Sequence, residues 1–293
     1  MVKFYPSISE DLREWIFEQS LFFVASAPRT GKHVNLSPKG HPSHTLSLLT
    51  PTQAAYLDAT GSGCETISHI YEPRNARVTL MFCSFGPSPR ILRLFCRGRV
   101  IEKGDAEFGG WVRKMVEGGM EAPGGLEMEG GSGAGMDAEE KDETTEKGEE
   151  DGKMHLKAIR AIILLDVFKV QTSCGFAVPI FPSSSPPTSS SDGPEVSELL
   201  SPVPTSGYAN RATLAKWTSF MVKKDGSLEP YRTGNNFRSL DGLPGLRSAR
   251  RGRGEWVGVE GVLQWGRRVG GMWEGVLVGM VLMMVLMVVV GRL

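Results

Sequence analysis

The sequence predicts a mainly β fold of the α+β kind, a barrel with short flanking helices, two disordered inserts and a hydrophobic C-terminal tail. Three observations carry this. Six short runs, LFFVASA, HVNLS, AAYLDA, RVTLMFCSF, RILRLFCRGRVIE and KAIRAIILLDVFKVQ, have the β-branched and aromatic composition of strands. Two stretches have a composition that buries too little surface to fold. An apolar run, 275–291, stands apart behind a stretch rich in Gly and Arg.

From the N-terminus, the first element is a helix reaching about Gln19. Ser9 is placed to cap it, Glu10 and Asp11 suit the positive end of its dipole, and Leu12, Trp15, Ile16 and Gln19 fall on one side. The strands follow. RILRLFCRG alternates, with Ile91, Arg93 and Phe95 on one face and Leu92, Leu94 and Cys96 on the other, whereas AIILL is apolar throughout and must be covered on both faces. Short helices are expected over 65–72, 105–118 and 210–223.

Residues 121–152 hold twelve acids against two Lys, with eight Gly, and residues 182–209 hold nine Ser and six Pro, so both read as disordered inserts. The expected organisation is then 1–120, first part of the barrel core; 121–152, acidic insert; 153–181, a barrel strand; 182–209, Ser/Pro-rich insert; 210–247, a C-terminal helix and closing segment; 248–274, a basic Gly-rich linker; and 275–291, a tail helix.

Across all 293 residues, 33 Lys and Arg balance 33 Asp and Glu, so net charge names no partner. Four Cys, at 64, 83, 96 and 174, form no CxxC pair and no disulfide framework, which points to reduced thiols in the cytosol. The start, MVKFYPSISEDLREW, carries early acids and no apolar run, against secretory or mitochondrial targeting. A secreted scaffold, a zinc finger and a multi-span transporter are excluded.

Two segments could carry chemistry. HVNLSPKGH, 33–41, reads as a strand entering a turn made sharp by Pro38 and Gly40. Asn35 and Ser37 share a face and Lys39 follows, so amide, hydroxyl and ammonium together suit a phosphate or a polar ring. A hairpin end with solvated polar groups is the alternative. In YLDATGSGCETISHI, 56–70, a strand ends at Asp58. The chain then crosses Thr60, Gly61, Ser62 and Gly63, and a helix begins near Glu65, an arrangement whose backbone N–H groups suit an anion, or which is simply a capped helix. Glu65 and His69, four apart, are placed to pair. HPSH at 41–44 lacks an acid pair for a metal site, RTGK at 29–32 lacks the first Gly of a P-loop, and RSARRGRG at 247–254 has no interleaved aromatics for nucleic acid and reads as a solvated linker.

Together FFVASAP, HVNLSPKGH, YLDATGSGCETISHI, RVTLMFCSF and PRILRLFCRGRVIE resemble the pyridoxamine 5'-phosphate oxidase-like family, whose fold is the FMN-binding split β-barrel. The likeness resumes at AIILLDVFKVQTSCGFAVP, TLAKW and NFRSLDGLPGL. The resemblance implies a homodimer with FMN in the groove between subunits and Asn35, Ser37, Lys39, Asp58, Thr60, Ser62, Glu65, Thr66 and Arg93 around the cofactor. In true pyridoxamine phosphate oxidases the strand matching HVNLSPK starts with Arg and ends with Lys; here Val34 replaces the Arg and Lys39 keeps the Lys. The SRK-type phosphate pair is replaced by Ser62, Glu65 and Thr66, so two cations are missing. Arg93 matches the Arg of the QVRV-type strand, and the C-terminal Arg and His that hold pyridoxal phosphate have no counterpart.

The resemblance thus implies a flavin-dependent oxidoreductase acting on a small substrate. The alternatives are a binding protein holding flavin, deazaflavin or haem without turnover, and an interaction protein with no cofactor. The tail, GVLVGMVLMMVLMVVVG, carries no charge and reaches about 25 Å as a helix, the short end for a bilayer span. It reads as a transmembrane helix that would anchor a cytoplasmic-facing protein to an intracellular membrane, Arg267 and Arg268 preceding it on the cytosolic side; a helix buried against the barrel or at a dimer contact is the alternative.

Overall fold

The structure, a computed structural model, describes residues 2–124, 156–181, 211–258, 266 and 273–290. Most of the two expected inserts lies outside the described residues. The chain divides into two compact units, 1–213 and 214–293.

In the first unit the elements run β1 (Lys3–Tyr5), α1 (Glu10–Phe17), β2 (Leu21–Ser26), β3 (Asn35–Gly40), α2 (Pro42–Thr45), β4 (Leu46–Thr50), β5 (Gln53–Ala59), α3 (Glu65–Tyr71), β6 (Arg77–Cys83), β7 (Ile91–Glu102), α4 (Phe108–Glu117) and β8 (Ile159–Ser173). The strands form one antiparallel sheet in the order β3-β2-β6-β7-β8-β5-β4, with β1 paired to β8. The long strands β7 and β8 run side by side through the middle, and a bulge leaves Phe168 unpaired between Phe95 and Cys96. Such bulges add twist and let a sheet curl. The curl brings β3, at one end, toward β5, near the other, and the two meet through side chains rather than a backbone ladder. This is the split β-barrel that the sequence predicts.

The concave face is lined by Phe22, Leu80, Phe82, Leu92, Leu94 and Ile163, and α1 adds Leu12 and Ile16. Behind β5 and β8, the helix α4 lays Phe108, Val112 and Met115 over Ala55, Leu57, Ile162 and Leu164. AIILL is therefore covered on both faces, as its unbroken apolar run requires.

Three local readings change. Pro38 does not start a turn: β3 continues to Gly40, which an edge strand tolerates because the missing N–H costs no ladder bond there. Strands β1 and β4 have no counterpart among the six expected, the first being only three residues long. The hydroxyl of Ser9 bonds Asp11 instead of capping α1.

The second unit contains α5 (Thr213–Asp225, its first residue still in the first unit), α6 (Glu229–Asn235), α7 (Arg247–Gly252) and α8 (Trp273–Val290). RSARRGRG is not a solvated linker, since it forms α7, with Ala249 and Arg250 buried and Arg250 donating to Glu255 at 2.9 Å. In SLDGLPGL, a Cβ on Gly245 would stand 2.2 Å from the carbonyl oxygen of Asn236, so this turn demands glycine. The tail is helical, but among the described residues no helix is long and apolar enough to cross a membrane. The transmembrane helix expected over 275–291 is therefore not supported.

Candidate functional site

Where β3 faces β5, polar side chains gather at the seam of the barrel. Because β3 continues past Pro38, Asn35, Ser37 and Lys39 all obey a period of two and share the inward face, opposite Ser26, Val24 and Phe22 of β2. The Lys39 ammonium lies 3.0 Å from Oδ1 of Asp58, on β5, and 5.7 Å from the centre of the Tyr56 ring. Asn35 donates from Nδ2 to the Thr66 hydroxyl of α3 at 3.0 Å and accepts from Ser37 at 3.0 Å. Ser26 joins α3 as well, its hydroxyl 2.9 Å from Nδ1 of His69.

A cation that the sequence reading missed completes the cluster. Arg160 of β8 donates from Nε to the second carboxylate oxygen of Asp58 at 2.8 Å. Its Nη2 donates to the Gly63 carbonyl at 2.7 Å, and Nη1 reaches the Gly61 carbonyl at 3.5 Å. β5 and β8 change register between Asp58 and Ala59, whose partners are Ala161 and Ile159, so Arg160 is the extra residue of a bulge. A bulge re-aims a side chain that would otherwise follow the pleat. An arginine inside an otherwise apolar run, AIRAIILL, is the signal from which Arg160 could have been found.

This changes the role of the Gly-rich turn. It offers Arg160 its carbonyls, and Glu65 folds back to accept the Cys64 N–H at 2.8 Å rather than pairing with His69. Thr60 and Ser62 stand exposed on the turn, and Thr66 is half-buried in the seam. Arg93, opposite Met81 and Gln171, lies on the other face of the sheet, so within one chain it does not join the cluster.

Asp58 is buried, with 5% of its side chain exposed, whereas Lys39 and Arg160 keep 24% and 27%. Two cations share one carboxylate, leaving a surplus of one positive charge at the rim. Beneath them Tyr56 is wholly buried, and burial first, then the Asp58 carboxylate, pushes its phenol pKa up. Thr66 stands beside that hydroxyl, yet among the described residues no hydrogen bond of normal geometry satisfies it. An unpaired buried hydroxyl under a cationic rim suits an anionic ligand with polar edges.

Among known proteins, the chain is 40% identical over 286 residues to ustO of Aspergillus flavus, a pyridoxamine 5'-phosphate oxidase family protein; the match covers 98% of this chain and 94% of that one. No family model matches. Among solved structures, HupZ of Group A Streptococcus is 15% identical, with 56% of this chain and 91% of that one covered at a TM-score of 0.33. An FMN-binding protein of Syntrophomonas wolfei is 9% identical, with 55% and 88% covered at 0.32. These structural likenesses are weak, and the relationship rests on the near full-length sequence match. On that match, the chain belongs to the pyridoxamine 5'-phosphate oxidase family.

Proposed function

We propose that this chain binds FMN at the barrel seam and is a flavin-dependent oxidoreductase acting, as a homodimer, on a small substrate. The observation that carries the reading is the convergence of Asn35, Ser37, Lys39 and Thr66 on one inward face beneath a rim with surplus positive charge. These donors fit a flavin mononucleotide, which pairs a phosphate with a ring rich in acceptors. When bound, the flavin supplies the electron transfer, so the chain has only to hold and orient it. Lys39 and Thr66 serve the anionic end, Thr60 and Ser62 its exposed rim, and Asn35 and Ser37 the polar ring edge. Asp58 and Glu65 shape the site without touching the cofactor, because each carboxylate is already engaged.

The homodimer is supported by the outer face of the sheet. Phe23, Met81 and Arg93 line up across β2, β6 and β7 by register, with Leu36 60% exposed on β3 and Phe4 50% exposed on β1. Arg93 would then reach a cofactor only across the subunit contact. All four cysteines are free, in keeping with a reducing compartment.

The engagement of both nearby acids also favours a second reading, a flavin carrier without turnover. The visible spectrum of the purified protein, the mass of any ligand released on denaturation, and anaerobic addition of NADH or NADPH test both. Flavin bands, released FMN and bleaching are the expected result. Bound flavin that neither nucleotide bleaches supports the carrier, and a colourless protein that takes up no added FMN overturns both readings.

A further inference from the structure

We propose that Arg160, held in place by Asp58, forms with Lys39 the cation pair that recognises the ligand's phosphate, so that this seam selects phosphorylated over unphosphorylated flavin. The inference rests on the flavin reading above and names the residues that set its specificity.

Asp58 joins the two cations. Each of its carboxylate oxygens takes one cation, Lys39 at 3.0 Å from β3 and Arg160 at 2.8 Å from β8. The acid lies inside, 5% exposed, while the two bases keep about a quarter of their surface. Asp58 thus acts as a buried peg that turns both cations toward one opening. Without it, two long side chains from different strands would lose rotamer order and repel each other.

Charge and donors point the same way. A phosphate monoester carries about −1.5 to −2 charge near neutral pH and three strong acceptor oxygens. The cluster's positive charge exceeds its negative by one, and the Glu65 carboxylate is turned onto the Cys64 amide rather than into the pair. Among the hydrogen bonds made to described residues, Lys39 commits one of its three ammonium hydrogens, to Asp58. Arg160 commits its Nε–H to Asp58 and reaches two carbonyls of the turn, which fix the guanidinium plane. A fixed guanidinium beside an ammonium is a strong phosphate receptor. Arg160 comes from β8, in a segment distant from the turn where the family pattern places its phosphate cations, and so replaces charge that the turn itself has lost.

The pair could instead serve only to close the barrel, and binding distinguishes the two roles. Dissociation constants for FMN and for riboflavin, from quenching of flavin fluorescence, are measured on the full chain and on Arg160→Gln, Arg160→Lys and Asp58→Asn, with circular dichroism to confirm folding. Wild type should prefer FMN by at least about tenfold, and inorganic phosphate should compete with FMN but not with riboflavin. Arg160→Gln should lower FMN affinity by about tenfold and leave riboflavin unchanged, while Arg160→Lys, which keeps the charge, should retain part of the preference. Asp58→Asn should also reduce the preference, although Asp58 touches no phosphate. Equal weakening of both flavins in Arg160→Gln and Arg160→Lys, or no effect on either, overturns the proposal while leaving the flavin reading intact. Wild type that binds neither flavin overturns that reading and this proposal with it.

Discussion

Tyr56 places a hydroxyl in the barrel interior, fully buried and, among the described residues, without a satisfactory hydrogen bond. Removing an unsatisfied polar atom relieves a desolvation cost, so Tyr56→Phe should be neutral or stabilising by up to about 1 kcal/mol in urea unfolding. A loss above about 1 kcal/mol would show that the hydroxyl has a partner in solution. Asp58 behaves oppositely, because Asp58→Ala strands two half-buried cations. That change should cost about 2 kcal/mol, between the values for surface and buried pairs. The cysteines report on the core: burial pushes the Cys83 and Cys96 thiols up, and Cys64 and Cys174 are exposed. Two thiols should therefore react quickly with a disulfide reagent in the folded protein and four after denaturation. Four fast thiols in the native protein would contradict the packing of β6 and β7. These residues also give a pH dependence. Tyr56, Cys83 and Cys96 have folded values above their ordinary 10.0 and 9.0, so they stay neutral in the fold while the unfolded chain ionises. Their contribution is fully present below about pH 9 and is lost as pH rises beyond it.

At the scale of elements, α3 positions the seam, and Gly98 lets it sit. A Cβ on Gly98 would stand 2.7 Å from Cδ1 of Ile70 and 3.2 Å from Val78, so α3 packs on β7 only because that strand has no side chain there. Gly98→Ala should cost about 1 to 3 kcal/mol through overpacking. It should also weaken flavin binding by shifting Thr66; unchanged stability and binding would separate α3 from the site. The acidic insert is bounded more narrowly than its composition suggested. Met120 is buried, the Glu121 N–H donates to the Ser43 carbonyl at 2.8 Å, and its carboxylate lies 3.1 Å from Nε2 of His44. The Leu156 N–H then donates to the Gly124 carbonyl at 2.8 Å, so the ends already touch. Replacing 126–153 by a short Gly/Ser link should leave stability within about 0.5 kcal/mol, and a loss above about 2 kcal/mol would give this segment a structural role. Periodicity made α1 and β7 readable from the sequence, and an unbroken apolar run made the doubly covered β8 readable. Lys39 was misplaced because Pro38 reads as a turn until β3 is known to be an edge. Arg160 was missed because a bulge depends on the register between strands, and one strand alone does not show it.

In the molecule as a whole, the barrel is fastened where the second insert rejoins it. Arg211 is buried and donates to the carbonyls of Val178 at 2.7 Å, Pro87 and Ser84 at 3.0 Å, and Gly86, while Phe85 stacks on Phe181 at 4.4 Å. Arg211 thus ends the first unit, and composition alone gave no sign of it, since its acceptors are backbone atoms contributed by two separate loops. A chain ending at Thr213 should unfold in a single cooperative transition, and a broad, non-cooperative loss of structure would show that the barrel depends on the C-terminal unit. Titrating FMN into the wild-type protein, Lys39→Ala and, as a control outside the cluster, His44→Ala shows whether the seam holds a flavin phosphate on Lys39. Saturable binding at one FMN per chain is expected in wild type and His44→Ala, with affinity reduced by about tenfold or more in Lys39→Ala, the value of one charge-assisted hydrogen bond. Identical dissociation constants in all three proteins, or no saturable binding in the wild type, would contradict that placement.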